Sequence, residues 1–223
     1  MRLGVISDVH ANLVALERVL DAMPPVDRLV CAGDVVGYNP WPAECVDRVR
    51  EACAATVRGN HDRNVDTPDR YRANRMALAG LELAAERLDA DQREWVLGLP
   101  RRVDLAGGRV LLVHDHPEHV DQYVRPYQFP EVRPYLDDYD ACILGHTHVQ
   151  HEATVDGRLI LNPGSVGQPR DGDPRAAFAV LDTDAEPMTA DLHRVEYDVS
   201  RVQAAVREAG LPERTAARLE RGE

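Results

Sequence analysis

Ala54-Ala55-Thr56-Val57-Arg58-Gly59-Asn60-His61-Asp62 runs from a short apolar stretch into a glycine followed by three polar side chains. It reads as a buried strand with a loop at its C-terminal end, the place where open α/β sheets hold their ligands. The chain upstream gives this strand its context. Arg2 to Ile6 is an apolar strand that ends at Ser7-Asp8-Val9-His10. Asn12 then caps a helix whose Leu13, Leu16, Val19, Leu20 and Met23 form one stripe, and Pro24-Pro25 stops it. Arg28 to Ala32 is a second strand, ending at Gly33-Asp34, and Pro42 to Cys53 a second helix with Cys45, Val46, Val49 and Cys53 inward. Strand, helix, strand, helix, strand predicts βαβ units and a parallel sheet. The clusters at Asp8, Asp34 and Asn60 therefore fall on one edge of that sheet.

Downstream, Asp66 to Gly98 has helical periodicity, with Met76, Leu78, Leu81, Leu83 and Leu88 as core candidates. After Pro100 the texture changes to short strands: Val103-Leu105, Val110-Val113, Ala141-Leu144, Gln150-Val155 and Leu159-Leu161, with Gly107-Gly108 and Asp156-Gly157 as turns. Arg175 to Asp182 and Met188 to Val195 read as further strands, and Ser200 to Gly210 as a helix. A β-rich second half facing a βαβ first half predicts two sheets packed together with helices outside. No Ser/Gly/Pro tract separates the halves, so one domain is expected over 1–223, with a helical extension over about 199–223.

At 223 residues and 44% hydrophobic content the chain can bury a large core. No apolar run approaches the roughly 20 residues that cross a bilayer, and Met1 leads straight into the first strand, so a cytoplasmic location without a membrane partner is expected. Cys31, Cys45, Cys53 and Cys142 lack ligand spacing and read as buried thiols. All 26 basic residues are Arg, and the net charge is −12. That balance argues against a nucleic-acid or anionic-membrane partner. It resembles salt-adapted proteins too, and in molar salt a Debye length of about 3 Å would weaken the argument. A GC-rich genome yields the same composition. Neither composition nor pattern excludes a homo-oligomer.

Polar residues at five strand ends make one chemical set: Asp8, His10, Asp34, Asn60, His61, His114, His146 and His148. Carboxylate, imidazole and an amide oxygen suit Mn, Fe, Zn or Ni, while the carboxylates are too few for a calcium cage and the absence of Cys disfavours structural zinc. With His61 set aside as a proton donor or acceptor, seven candidate ligands exceed the needs of one ion. Two ions about 3.5–4 Å apart, sharing a carboxylate, would use them all and form the clamp of an in-line phosphoryl displacement.

The order Asp8-x-His10, Gly33-Asp34, Gly59-Asn60-His61-Asp62, His114 and Gly145-His146-Thr147-His148 resembles the calcineurin-like metallophosphoesterase superfamily. Two further strings, Gly33 to Tyr38 and Asn162 to Arg170, resemble its small single-domain YfcE-like phosphodiesterase branch. The resemblance implies an α/β fold, a four-layer α/β/β/α sandwich with two mixed sheets. It implies that Asp8, His10, Asp34 and His148 hold one metal and Asp34, Asn60, His114 and His146 the other, Asp34 bridging. It further implies two divalent cations, Mn first, with Fe, Ni, Zn or Mg as alternatives. Small phosphodiesters would be hydrolysed by a hydroxide held between the ions, His61 protonating the leaving group as general acid.

Two departures narrow the reading. Phosphoprotein phosphatases of the superfamily carry Asp-Arg-Gly three residues past the bridging Asp, where this chain has Gly37-Tyr38-Asn39. The small-phosphodiesterase branch follows its His114 equivalent with Gly-Ser, whereas here Asp115-His116-Pro117 follow, either tuning the site or forming a solvated loop. Arg58, Tyr38, Asn39 and Arg170 are the candidate substrate contacts, and the loop around Gly164 and Gly167 supplies backbone turns. The rival readings are a nuclease of the same superfamily, disfavoured by the acidic composition, and a non-catalytic metal-binding scaffold like the retromer subunit of this fold. That subunit lacks the central histidine, which is present here as His61.

Overall fold

In the computed structural model, which describes residues 1–223, the first 57 residues fold as their periodicity dictates. Strands β1 (Arg2–Ile6), β2 (Arg28–Cys31) and β3 (Ala55–Thr56) lie parallel, joined by helices α1 (Leu13–Ala22) and α2 (Pro42–Ala52). Asn12 caps α1 by accepting the N–H of Ala15 at 3.1 Å. The loop after β3 turns at once into a single helical turn, α3 (Asn60–Arg63). The helical stretch that follows resolves into a 3-10 turn at Pro68–Tyr71 and helices α4 (Arg75–Arg87) and α5 (Ala90–Gly98). Asn74 and Asp89 cap them.

The second half supplies β4 (Arg102–Leu105), β5 (Val110–Val113), the one-turn helix α6 (Phe129–Val132), β6 (Ala141–Ile143), β7 (His151–Val155) and β8 (Arg158–Asn162). Strands β9 (Ala176–Asp182) and β10 (Thr189–Val195) and helices α7 (Val199–Glu208) and α8 (Glu213–Leu219) complete the chain. The strands form two five-stranded sheets of order β10-β9-β1-β2-β3 and β4-β5-β6-β8-β7. The architecture is the expected four-layer α/β/β/α sandwich with two mixed sheets. The division of strands differs from the expected one, because β9 and β10 return to the first sheet. Residues Ala176 to Leu181 are all buried, so this run needs cover on both faces, and beside β1 it lies between the helices and the second sheet, Val5 pairing with Val30 on one flank and Ala179 on the other.

Alternation along the strands builds three cores. Leu3, Val5, Val30, Ala179 and Leu181 meet Val110, Leu112, Ile143 and Leu161 between the sheets. Ile6, Cys31 and Phe178 point the other way, against α1, α2, α4 and α5. Leu111, Val113 and Ile160 are covered by Phe129, Val132 and Leu136, a thinner outer layer than the helices opposite. A one-residue slip in any of these strands would exchange its buried faces, so the apolar pattern fixes the register. Among the core candidates of the helical stretch, Leu81 and Leu88 are buried, while Met76, Leu78 and Leu83 are half-buried. The four cysteines are free thiols, three of them buried. No helix is long and apolar enough to cross a membrane.

Candidate active site

All five polar clusters meet at one end of the two sheets. The loops after β1, β2 and β3 come from the first sheet, and those after β5 and β6 from the second. Their backbones are unusual: Asp8, His10, Asp34, Tyr38, His146 and His148 lie in the left-handed region, φ between 47° and 67°. For residues with a Cβ that conformation costs about 1–2 kcal/mol apiece, so the surrounding bonds must enforce it. Close approach is enforced too. A Cβ at Gly59 would overlap the Asp34 carboxylate, and one at Gly37 would overlap the His61 ring.

All of the donors but His146, whose Nε2 meets the Asp121 carbonyl at 3.4 Å, share one pattern, in which each is held by one polar atom and turns the other inward. His10 Nδ1 donates to the Val36 carbonyl at 3.1 Å, His114 Nδ1 to Ala32 at 2.7 Å and His148 Nδ1 to Gln168 at 2.6 Å. A carbonyl only accepts, so each Nδ1 carries a proton; burial keeps the His10 and His148 rings neutral with Nε2 as a lone pair, whereas at His114, against burial, the Asp34 carboxylate raises the ring to about 10. Asp8 Oδ2 accepts from Ser7 Oγ at 2.7 Å and from the His146 N–H at 3.1 Å, while its buried Oδ1 has no partner. Asp34 Oδ1 accepts from the His61 N–H at 2.8 Å, leaving Oδ2 3.4 Å from His114 Nε2 and 3.7 Å from His10 Nε2. Asn60 donates its amide to the Tyr71 hydroxyl, which turns Oδ1 to within 3.2 Å of His114 Nε2.

Bare acceptors thus face one another across a buried space, the Nε2 atoms of His10 and His148 only 3.1 Å apart. Such an arrangement is repulsive unless a positive charge sits among them. Donor atoms of Asp8, His10 and His148 fall within 4.8 Å of one another, as do those of Asp34, His114 and His146, and those of His10, Asp34 and His61. The residues present fit divalent cations by the chemistry of their free atoms.

Around this floor stands a rim. A cavity of about 270 Å³ is lined by Asp34, Asn60, His61, His146 and His148 below, and by Tyr38, Tyr71, Asn74, Tyr123, Arg170 and Arg218 above. Tyr123 stacks on His146, ring centroids 4.0 Å apart, and Tyr38 stands 4.7 Å from both His10 and His61. Burial, reinforced by the Arg170 charge and opposed by Asp34, lowers His61 to about 4, so its ring is neutral near pH 7. Burial and the neighbouring Asp34 push the Asp62 carboxyl up, against which four backbone N–H groups, of Asp34, Val35, Val36 and Gly59, favour its ionised form.

Tyr38 and Arg170 face the cavity as expected, but two other expected contacts do not. Arg58 turns away and donates to the Leu97 carbonyl at 2.7 Å, because its position beside β3 points it toward α5. Asn39 is buried and donates its amide to the His10 carbonyl at 2.9 Å, holding that loop from behind. Asp115 and His116 are buried, not solvated: Asp115 accepts the Asp121 N–H and His116 Nδ1 those of Glu118 and His119. The Asn162–Arg170 loop does more than turn. Its Ser165 Oγ donates to the Asp8 carbonyl at 2.7 Å, and its Gln168 carbonyl orients His148.

The calcineurin-like phosphoesterase superfamily domain model matches residues 1–186. The chain belongs to the calcineurin-like phosphoesterase superfamily. Within it, phosphodiesterase YfcE of Escherichia coli K12 is 30% identical over 196 residues, spanning 82% of this chain and 89% of that protein. An uncharacterized protein of Methanocaldococcus jannaschii is 30% identical over 243 residues, covering 97% and 96% of the two chains. The crystal structure of a metallophosphoesterase from Sphaerobacter thermophilus superposes with a TM-score of 0.86 at 37% identity, covering 100% of this chain and 99% of that one. These likenesses fit the YfcE-like branch, and the chain is a hydrolase of a metal-dependent phosphoesterase superfamily. Tyr71, Asn74, Tyr123 and Arg218 are the cavity residues that sequence reasoning missed. Tyr71 was open to notice as the aromatic in an otherwise polar stretch, whereas nothing local distinguishes Arg218.

Proposed function

We propose that this protein hydrolyses small phosphodiesters, in preference to monoesters, over a pair of divalent cations, manganese foremost. The reading is carried by Asp34 Oδ2, a buried carboxylate oxygen left free between two ligand sets. Asp8, His10 and His148 complete the set on one side, and Asn60, His114 and His146 the set on the other. Cations bound there supply Lewis acidity to the phosphoryl group and to the attacking water.

The chain's own residues do the rest. The tied Nδ1 atoms orient the His10, His114 and His148 imidazoles so that Nε2 points inward. Tyr71 holds the Asn60 amide so that its oxygen, not its nitrogen, faces the floor. His61, neutral when the cavity holds no substrate, gains proton affinity as an anionic phosphoester enters beside it, and passes a ring proton to the departing alkoxide. Arg170, set against Tyr38, makes the cavity mouth attractive to an anionic substrate. Small nucleotides and cyclic phosphates are the proposed substrates, and the Tyr38, Tyr71 and Tyr123 rings offer faces on which a base can lie.

The test is hydrolysis of bis(p-nitrophenyl) phosphate and p-nitrophenyl phosphate by protein stripped with chelator and then reloaded with Mn, at low and at molar salt. Expected are loss of activity on stripping, recovery with Mn, and faster turnover of the diester. Undiminished activity in protein shown to be metal-free by elemental analysis would falsify the reading.

A further inference from the structure

Two arginines of the rim lack a side-chain ion pair. In a chain of net charge −12, neither Arg170 nor Arg218 makes an ion pair with an Asp or Glu side chain, although both line the cavity above His61. Arg170 donates to the Tyr38 hydroxyl at 3.2 Å and to Gln168 Oε1 at 2.8 Å, both neutral, and its buried Nε has no partner. Arg218 gives its Nε to the backbone oxygen of Glu223 and leaves the rest of its guanidinium free of side-chain acceptors. Burial and the Arg170 charge work against the Arg218 cation, and Tyr38 and Glu223 offset them only in part, so the two guanidinium groups repel across the cavity.

They come from opposite ends of the architecture and are locked together. Arg170 follows the floor loop that orients His148, while Arg218 lies on α8, beyond residue 186 where the family match stops. The Gly172 N–H donates to the Gly222 carbonyl at 3.0 Å, and Gly222, at φ 62°, packs so closely on the Asp173 backbone that a Cβ would lie 2.7 Å from it. Val202, Val206, Ala216 and Leu219 form the apolar seam that seats α7 and α8 against Val14, Trp41, Ala79 and Leu83. The C-terminal helices are thereby fixed as one wall of the cavity.

We propose that Arg170 and Arg218 form a second anion subsite, which binds a phosphoryl group of the substrate other than the one cleaved. The subsite stands one phenol ring outward from the floor, since Tyr38 touches His61 on one side and Arg170 on the other. Two guanidinium groups without an acidic side-chain partner present more donors than a single diester, already claimed by the floor, can satisfy. The substrate class is accordingly a small phosphoester that carries another phosphate. This rests on the phosphoesterase reading above and narrows it.

The experiment compares two esters that differ only in that group: thymidine 5′-(p-nitrophenyl phosphate) and its 3′-phosphorylated counterpart, both releasing p-nitrophenol. With Mn-loaded protein the phosphorylated ester is expected to have a KM lower by about tenfold. In Arg218→Gln that advantage falls below about twofold, while kcat/KM for the simpler ester drops by less than about threefold; Arg218→Lys regains part of the advantage. Thermal melts of both variants report the seating of α8 separately. Similar KM values for the two esters in the parent protein, or an advantage undiminished in a folded Arg218→Gln, would overturn the subsite alone. Hydrolysis of neither ester under any of the candidate metals would overturn the phosphoesterase reading, and the subsite with it.

Discussion

The floor and the rim of the cavity are built on different principles. On the floor the donors sit in the loops that directly follow β1, β2, β3, β5 and β6, are buried, and have one atom tied to backbone or to a neighbour. On the rim Tyr38, Tyr71, Tyr123, Arg170 and Arg218 come from loops, a 3-10 turn and a C-terminal helix, and Tyr123 is 42% exposed. The floor is rigid because strained backbone and close glycine contacts leave no other arrangement, whereas rim side chains can change without unfolding a strand. Chemistry common to a superfamily belongs on the first, and choice of substrate on the second.

The largest expected effects test the floor. Asp34→Ala removes the oxygen shared by both ligand sets, and should lower metal content and reduce turnover by about 10³-fold or more. His61→Ala should retain both metals and lose about 10²–10⁴-fold in kcat. Elemental analysis alongside kinetics separates them, and equal metal loss in the two variants would erase the distinction between ligand and proton donor. A smaller effect probes where the regions join. Tyr71→Phe frees the Asn60 amide, and should weaken metal affinity by about 10–100-fold with the other ligands intact. Titration of stripped protein with Mn reads this directly, and unaltered affinity would confine Tyr71 to the rim. The smallest is Arg58→Ala: kcat/KM should change by less than about twofold, with about 1 kcal/mol lost from stability as the Leu97 contact goes. A tenfold fall in kcat/KM would place Arg58 among the substrate contacts after all.

The same contrast explains what could be read from the amino acids. Floor residues announce themselves because a short apolar run, a glycine and a polar donor repeat at Gly33-Asp34, Gly59-Asn60 and Gly145-His146, and the βαβ order puts the first two on a common edge. Rim residues carry no such signal. Arg218 sits in a helix that begins after Pro212 and looks like any other polar helix until the chain is folded back on Gly172. Arg58 was legible in position but not in direction, since the residue between β3 and Gly59 can face either sheet edge. The placement of β9 and β10 eluded the pattern for a related reason: an apolar run states that it is buried, not beside which strand.

Asp62 gathers four amide hydrogens from the segment after β2 and from Gly59 onto one carboxylate, which staples the loops bearing Asp34 and Asn60 into a single body. The gap between the two proposed ligand sets is thereby gauged by the polypeptide and not by the guests it would receive. Ions of unequal radius would then be accommodated by exchanging solvent in their coordination spheres while the protein donors stay put, so a single apoprotein should accept several of the transition elements and differ among them in speed more than in shape.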